Sequence, residues 1–180
     1  RIALVFRGHG VRLCAEERTA YAALADYVAV YFQPKAWVDE QVALLWLEQF
    51  IVETAGHCQY EKLLGMDRHG PQMTTRFQQR ALDEDIISAY TPPDCTDVTA
   101  PCDHHVFIRI KKIINTFYEA ELEQNWVAWC HPPDLGGLRA WERRVYLAIW
   151  TALAWQIVKS DPSFIRSSFV STGWLIAKDG

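Results

Sequence analysis

Four short apolar runs, each closed by a backbone breaker, limit what this chain can fold into. Ile2-Ala-Leu-Val-Phe6 ends at Gly8-His-Gly10, and Tyr27-Val-Ala-Val-Tyr-Phe32, β-branched and aromatic, stops before Pro34. Leu63 to Met66 runs towards the turn Gly70-Pro71, and Ile86-Ile-Ser-Ala-Tyr90 is broken by Pro92-Pro93-Asp94. All four read as strands. Helical patterns separate the later ones. Asp39 caps a stretch in which Val42, Leu45, Trp46 and Phe50 recur at helical spacing, ending before Gly56. Thr75 and Gln78 form a capping box for a helix to about Leu82, and another helix runs from His104 to about Glu123. Leu138 to Lys159 and Pro162 to Thr172 give two more, with Gly173 as a cap. This alternation predicts an α/β domain with a mixed sheet, its first two strands antiparallel and its later two parallel.

With 180 residues, half of them apolar, the chain suffices for one well-buried core, so a single domain is expected. Residues 1–124 form its α/β core and 125–180 a helical extension. The net charge of −4 repels a phosphate backbone in bulk, so any nucleic-acid contact must be local. Cys14, Cys58, Cys95, Cys102 and Cys130 contain no CxxC pair, which disfavours a zinc ribbon or a disulfide scaffold and points to reduced thiols. The most apolar stretch, Val145 to Val158, contains Gln156 and is too short to span a bilayer. The start at Arg1, inside an apolar strand pattern, reads as that of a fragment.

Two acids carry the chemistry. Asp67 stands where the third strand meets its loop, the edge at which open α/β sheets place ligands. Asp103 opens a helix on which Val106, Phe107, Ile110, Ile114 and Phe117 fall within roughly 60° of it, so it shares their buried stripe, with Lys112 opposite. Alone, Asp67 reads most simply as a turn residue and Asp103 as an N-cap; together they read as converging carboxylates. Such a pair needs cations to neutralise it. Oxygen-only ligation favours magnesium or manganese over zinc, and two such ions about 3.5–4 Å apart serve phosphodiester cleavage. A third acid has no candidate upstream. The other polar residues take plainer readings. His104 and His105 point about 100° apart on a helix and make a poor zinc pair. His69 is a loop or substrate-side group, and Asp94 and Asp97 are loop acids. Trp37, Trp46, Trp150 and Trp155 belong to the core rather than to base stacking.

At these residues the chain resembles the DDE-type transposases of the pogo, Tigger and jerky group, which includes centromere protein B. Ile2 to Gly10 and Tyr31-Phe-Gln-Pro-Lys-Ala-Trp-Val-Asp39 match the segments that lead to the first helix. Leu63-Leu-Gly-Met-Asp-Arg-His-Gly-Pro-Gln72 resembles the motif of the second catalytic acid, and Thr91-Pro-Pro-Asp-Cys-Thr96 with Pro101-Cys-Asp103 that of the third. Phe169 to Gly173 and Asp179-Gly180 resemble the closing segment. The resemblance implies an RNase-H-like fold, N-terminally truncated, in which three acids bind two magnesium or manganese ions and cut and join DNA in the nucleus. Asp67 and Asp103 match two of those acids; the first would lie on a central strand upstream of Arg1, beside residues 62 to 66. Ala100-Pro101 stands where Gln-Pro is frequent, and no helix-turn-helix module is present in these residues.

Two functions follow. One is the catalytic-domain fragment of a transposase whose intact parent cleaves DNA, the fragment itself being inactive without the first acid. The other is a domesticated DNA-associated or oligomerisation protein that uses its tryptophan-rich C-terminal helices as a homo-oligomer interface. A hydrolase reading has no GxSxG nucleophile motif to support it. No membrane and no small-molecule cofactor are expected.

Overall fold

The structure, a computed structural model, describes residues 1–56 and 62–175, apart from the side chains of Thr96 and Asp97. Cys58, Asp179 and Gly180 lie outside the described residues, as does the Asp97 side chain. In chain order the elements are β1 (Ile2–Arg7), α1 (Ala15–Ala23), β2 (Val28–Gln33), α2 (Glu40–Thr54), β3 (Lys62–Met66), α3 (Thr75–Leu82), β4 (Ile86–Tyr90) and a short α4 (Thr96–Thr99). Then follow α5 (Phe107–Gln124), α6 (Trp126–Cys130), α7 (Ala140–Lys159) and α8 (Pro162–Ser171). No described helix is long and apolar enough to cross a membrane.

The α/β class holds, but the sheet differs from the one expected. Among the described residues there are two separate two-stranded sheets, β1 with β2 and β3 with β4. Both are parallel, with Ile2 opposite Val28 and Lys62 opposite Ile86 at their starts. The antiparallel pairing expected of the first two strands fails because α1 lies between them. A crossover helix returns the chain to the starting end of β1, whereas an antiparallel pair needs only a hairpin. Hydrophobic periodicity missed α1 because its buried residue is Glu17, and its N-cap is Cys14, whose sulfur accepts from the Glu17 N–H at 3.4 Å.

Helices α2, α3 and α8 start on ordinary caps. The Asp39 carboxylate accepts from the Val42 N–H at 2.9 Å to start α2. Thr74, one residue before the expected Thr75, caps α3 through the Phe77 N–H. Asp161 caps α8 and is also gripped by Arg109 of α5 at 2.8 Å. That guanidinium, with help from Ser163 and the Phe164 N–H, holds the Asp161 carboxyl down at about 2. Gly173, φ +80°, follows α8 as expected of a cap.

Two cores result. Leu47 and Ala43 of α2 and Phe77 and Ala81 of α3 close on Leu64, Met66 and Ile86 of the β3–β4 sheet. Val106 and Ile110 pack on Ala154 and Val158 of α7, with Ile2 of β1 and Phe164 of α8 at the margin. An aromatic cluster of Tyr118, Trp129, Tyr146 and Trp150, ring centres 5.4 to 6.1 Å apart, ties α5, α6 and α7 together. Trp46, Trp150 and Trp155 join these interiors as expected. Trp37 does not: it is 70% exposed, in the turn after Ala36, whose positive φ swings the chain outward between β2 and α2.

Candidate metal centre

β3 and β4 end side by side, Met66 opposite Tyr90. The Thr91 N–H then donates to the Met66 carbonyl at 2.9 Å, which carries the ladder one step further. Asp67 and Thr91 are therefore the first residues past the paired strands, at the rim where parallel sheets present ligands. Asp67 is half-buried and does not cap the next turn, Gly70–Met73, which has no side-chain cap.

Asp103 reaches the same rim from the other side. After α4, Ala100 and Pro101 are buried and anchor a π-helical turn, Cys102–Val106, before α5 begins. The Phe107 N–H bonds back to the Cys102 carbonyl, and no side-chain cap closes the turn. Asp103 is thus neither an N-cap nor on the buried stripe: it is exposed, as is Phe107, while Val106 and Ile110 are buried. The reason is helical pitch. A wheel of 100° steps assumes i to i−4 bonding, and a π turn, bonded i to i−5, rotates each side chain out of that phase. π turns of this kind recur at functional sites.

Both aspartates line one cleft of about 270 Å³, together with Trp46, Gln72, Thr91 and Trp174. The wall that strips part of the water from Asp103 and, after it, the negative charge of Asp67 push its carboxyl above the ordinary aspartate range, while Lys111 pulls the other way. Asp67 is therefore near enough for its charge to act on Asp103. Trp174 roofs the cleft: its indole N–H donates to the Thr99 carbonyl at 2.6 Å, and its ring lies on Gly65, where a Cβ would meet it at 2.8 Å. A larger residue in β3 at that position would have to displace the Trp174 ring.

The remaining expected groups lie elsewhere or do other work. His105 bonds the Ser171 hydroxyl at 2.9 Å, tying the π turn to α8, and stacks beside His104 with centres 4.9 Å apart. Among the described residues no group of three His, Cys, Asp or Glu side chains gathers, so no third such side chain joins the histidine pair or the two aspartates. Asp94 sits in a loop with φ +57°, and His69 is half-buried beside the Gly70–Met73 turn. A hollow of about 810 Å³ between α2 and α3 has its Arg80 held by Glu48 and Glu84.

Two carboxylates with mutual repulsion suit a hard divalent cation, whose charge relieves that repulsion. As a donor set they are incomplete without further oxygens. A family model described as DDE superfamily endonuclease matches residues 4–169. The chain belongs to this family. No curated protein and no solved structure matches it. Membership as a DDE superfamily endonuclease carries with it a transposase-type function, DNA as substrate and the general use of divalent metals. Sequence reasoning missed Thr91 and Gln72 as members of the cleft; the one available signal was that Thr91 follows its strand as Asp67 follows its own.

Proposed function

We propose that this DDE endonuclease chain is the catalytic-domain portion of a transposase of the pogo, Tigger and jerky group, with Asp67 and Asp103 as metal-holding catalytic acids. The observation that carries this reading is that two acids from distant segments line one cleft at the strand ends. A magnesium or manganese ion held there supplies positive charge against the charge that develops on a phosphodiester, and lowers the pKa of an attacking water or hydroxyl. Asp67 fixes one side of that site from the rigid end of β3. Asp103 fixes the other from the π turn, and because its carboxyl takes up a proton above the ordinary range, protons compete with the cation as pH falls.

A third acid completes the family's chemistry, and the reading places it on a further strand of an RNase-H-like sheet. A groove of about 450 Å³, lined by Ile2, Ala3 and Val5 of β1, Val42 of α2 and Val106, supports this. It shares Trp46, Gln72, Cys102 and Phe107 with the cleft, so a strand lying there would end beside the two aspartates. DNA contact falls to a local cationic face on an acidic chain. Arg7, His9, Arg12 and Arg144 line a hollow of about 510 Å³ around Gly8 and Gly10. Arg144 is held by Glu17, whereas Arg7 and Arg12 form no ion pair among the described residues. A nuclear location belongs to the same reading, whereas a homo-oligomer through the C-terminal helices belongs to the domesticated alternative.

One observation favours the domesticated, non-catalytic alternative: no third acid stands by the pair among the described residues. Calorimetric titration with Mn²⁺ separates the two. The transposase reading predicts saturable binding by the wild type and its loss in both Asp67→Asn and Asp103→Asn. No heat of binding in any of the three supports the alternative.

A further inference from the structure

Four buried side-chain oxygen or nitrogen atoms among the described residues have no hydrogen-bond partner, and two of them, Thr91 Oγ1 and Gln72 Oε1, belong to residues that line the cleft of Asp67 and Asp103. The other two are far apart in role: Glu17 Oε2 lies beside Arg144, and Trp129 Nε1 lies in the aromatic cluster. Buried polar atoms are almost always satisfied, and an orphan at a functional site points to an ion or water that belongs there. Thr91 is only 2% exposed, so its hydroxyl is not satisfied by bulk solvent. Its place is fixed by the N–H bond to Met66, one residue before Asp67. Gln72 is fixed as well: its backbone carbonyl accepts from the Tyr90 hydroxyl at 2.7 Å.

We propose that Gln72 and Thr91 are the neutral oxygen donors that complete a divalent-cation site between Asp67 and Asp103, either directly or through the cation's own water. The inference rests on the metal-binding reading of the two aspartates and assigns it two further residues. An amide oxygen and a hydroxyl are hard donors of the kind magnesium and manganese take. They add coordination without adding charge, so they raise the donor count of the site alongside its acids without adding to their repulsion. Desolvation of both atoms is then offset by the cation rather than left uncompensated.

Sensitised Tb³⁺ emission tests this, because Trp46 and Trp174 line the cleft and can pass excitation to a lanthanide standing in for the cation. The wild type should show saturable emission that Mn²⁺ displaces. Thr91→Val, which keeps the shape and removes the hydroxyl, and Gln72→Met should each weaken Tb³⁺ binding by about tenfold or more, while Thr91→Ser restores it and Asp103→Asn abolishes it. Gln72→Met lies outside the buried core and covers the case in which Thr91→Val fails to fold. If Thr91→Val and Gln72→Met bind as the wild type does while Asp103→Asn does not, the two oxygens have no part in the site and this inference falls alone. If Asp103→Asn also binds unchanged, the aspartate site falls and the inference with it.

Discussion

Asp103 shows how a side chain that sequence places at a helix start can differ from that reading in its surroundings. Its position just past Pro101 marked it as a helix-start acid, and the cleft it lines with Asp67 was legible from strand end and helix start. Its exposure was not, because no periodicity distinguishes a π turn from the first turn of an α-helix. Thr91 and Gln72 were illegible for a different reason: only the register of β3 against β4 sets Thr91 beside Asp67. The raised Asp103 carboxyl also has a sign that can be checked. A carboxyl whose folded pKa lies above its unfolded one favours the folded state at low pH, and that contribution is lost as pH rises through the folded value. Asp103→Asn, neutral throughout, should therefore melt higher than the metal-free wild type at neutral pH. The gain should vanish as pH falls below the ordinary aspartate range. Equal melting temperatures across that range would remove the repulsion from the account.

At the scale of elements, the join between the first sheet and the C-terminal helices rests on a buried charge. Glu17 of α1 is 1% exposed, and its Oε1 accepts from Arg144 of α7 and from the Tyr21 hydroxyl, both at 2.8 Å. Arg144 lies in turn over the Phe32 ring of β2. Burial first, and then the bond to Glu17, raise the Tyr21 hydroxyl above its usual value. Removing one partner of such a pair strands the other without water, so Arg144→Met should cost about 3 kcal/mol in chemical denaturation. Glu17→Met with Arg144→Met should recover most of that loss, since the double change leaves no unpaired charge. A loss as large in the double variant would mean that Arg144 acts by packing rather than by charge. The sequence hid this element because a glutamate is the residue α1 buries. The apolar α2, capped by Asp39, was plain from its spacing.

Across the whole molecule, an acidic chain meets its proposed polyanionic substrate through two local features, the cleft and the arginine-lined hollow. Each phosphate contact contributes about −0.9 to the slope of log affinity against log salt on duplex DNA. Arg7→Ala with Arg12→Ala should weaken duplex binding at low salt and flatten that slope by about 2, as read by fluorescence anisotropy. An unchanged slope would move the DNA contact to another face. The central claim is that Asp67 and Asp103 hold one cation between them, and paramagnetic broadening by substoichiometric Mn²⁺ reads it most directly. Amide signals of Met66 to Arg68 and of Cys102 to His104 should broaden together, at the same Mn²⁺ concentration, and both sets should stay sharp in Asp67→Asn. Broadening of one segment without the other, or of both in the Asp67→Asn variant, would contradict the shared site.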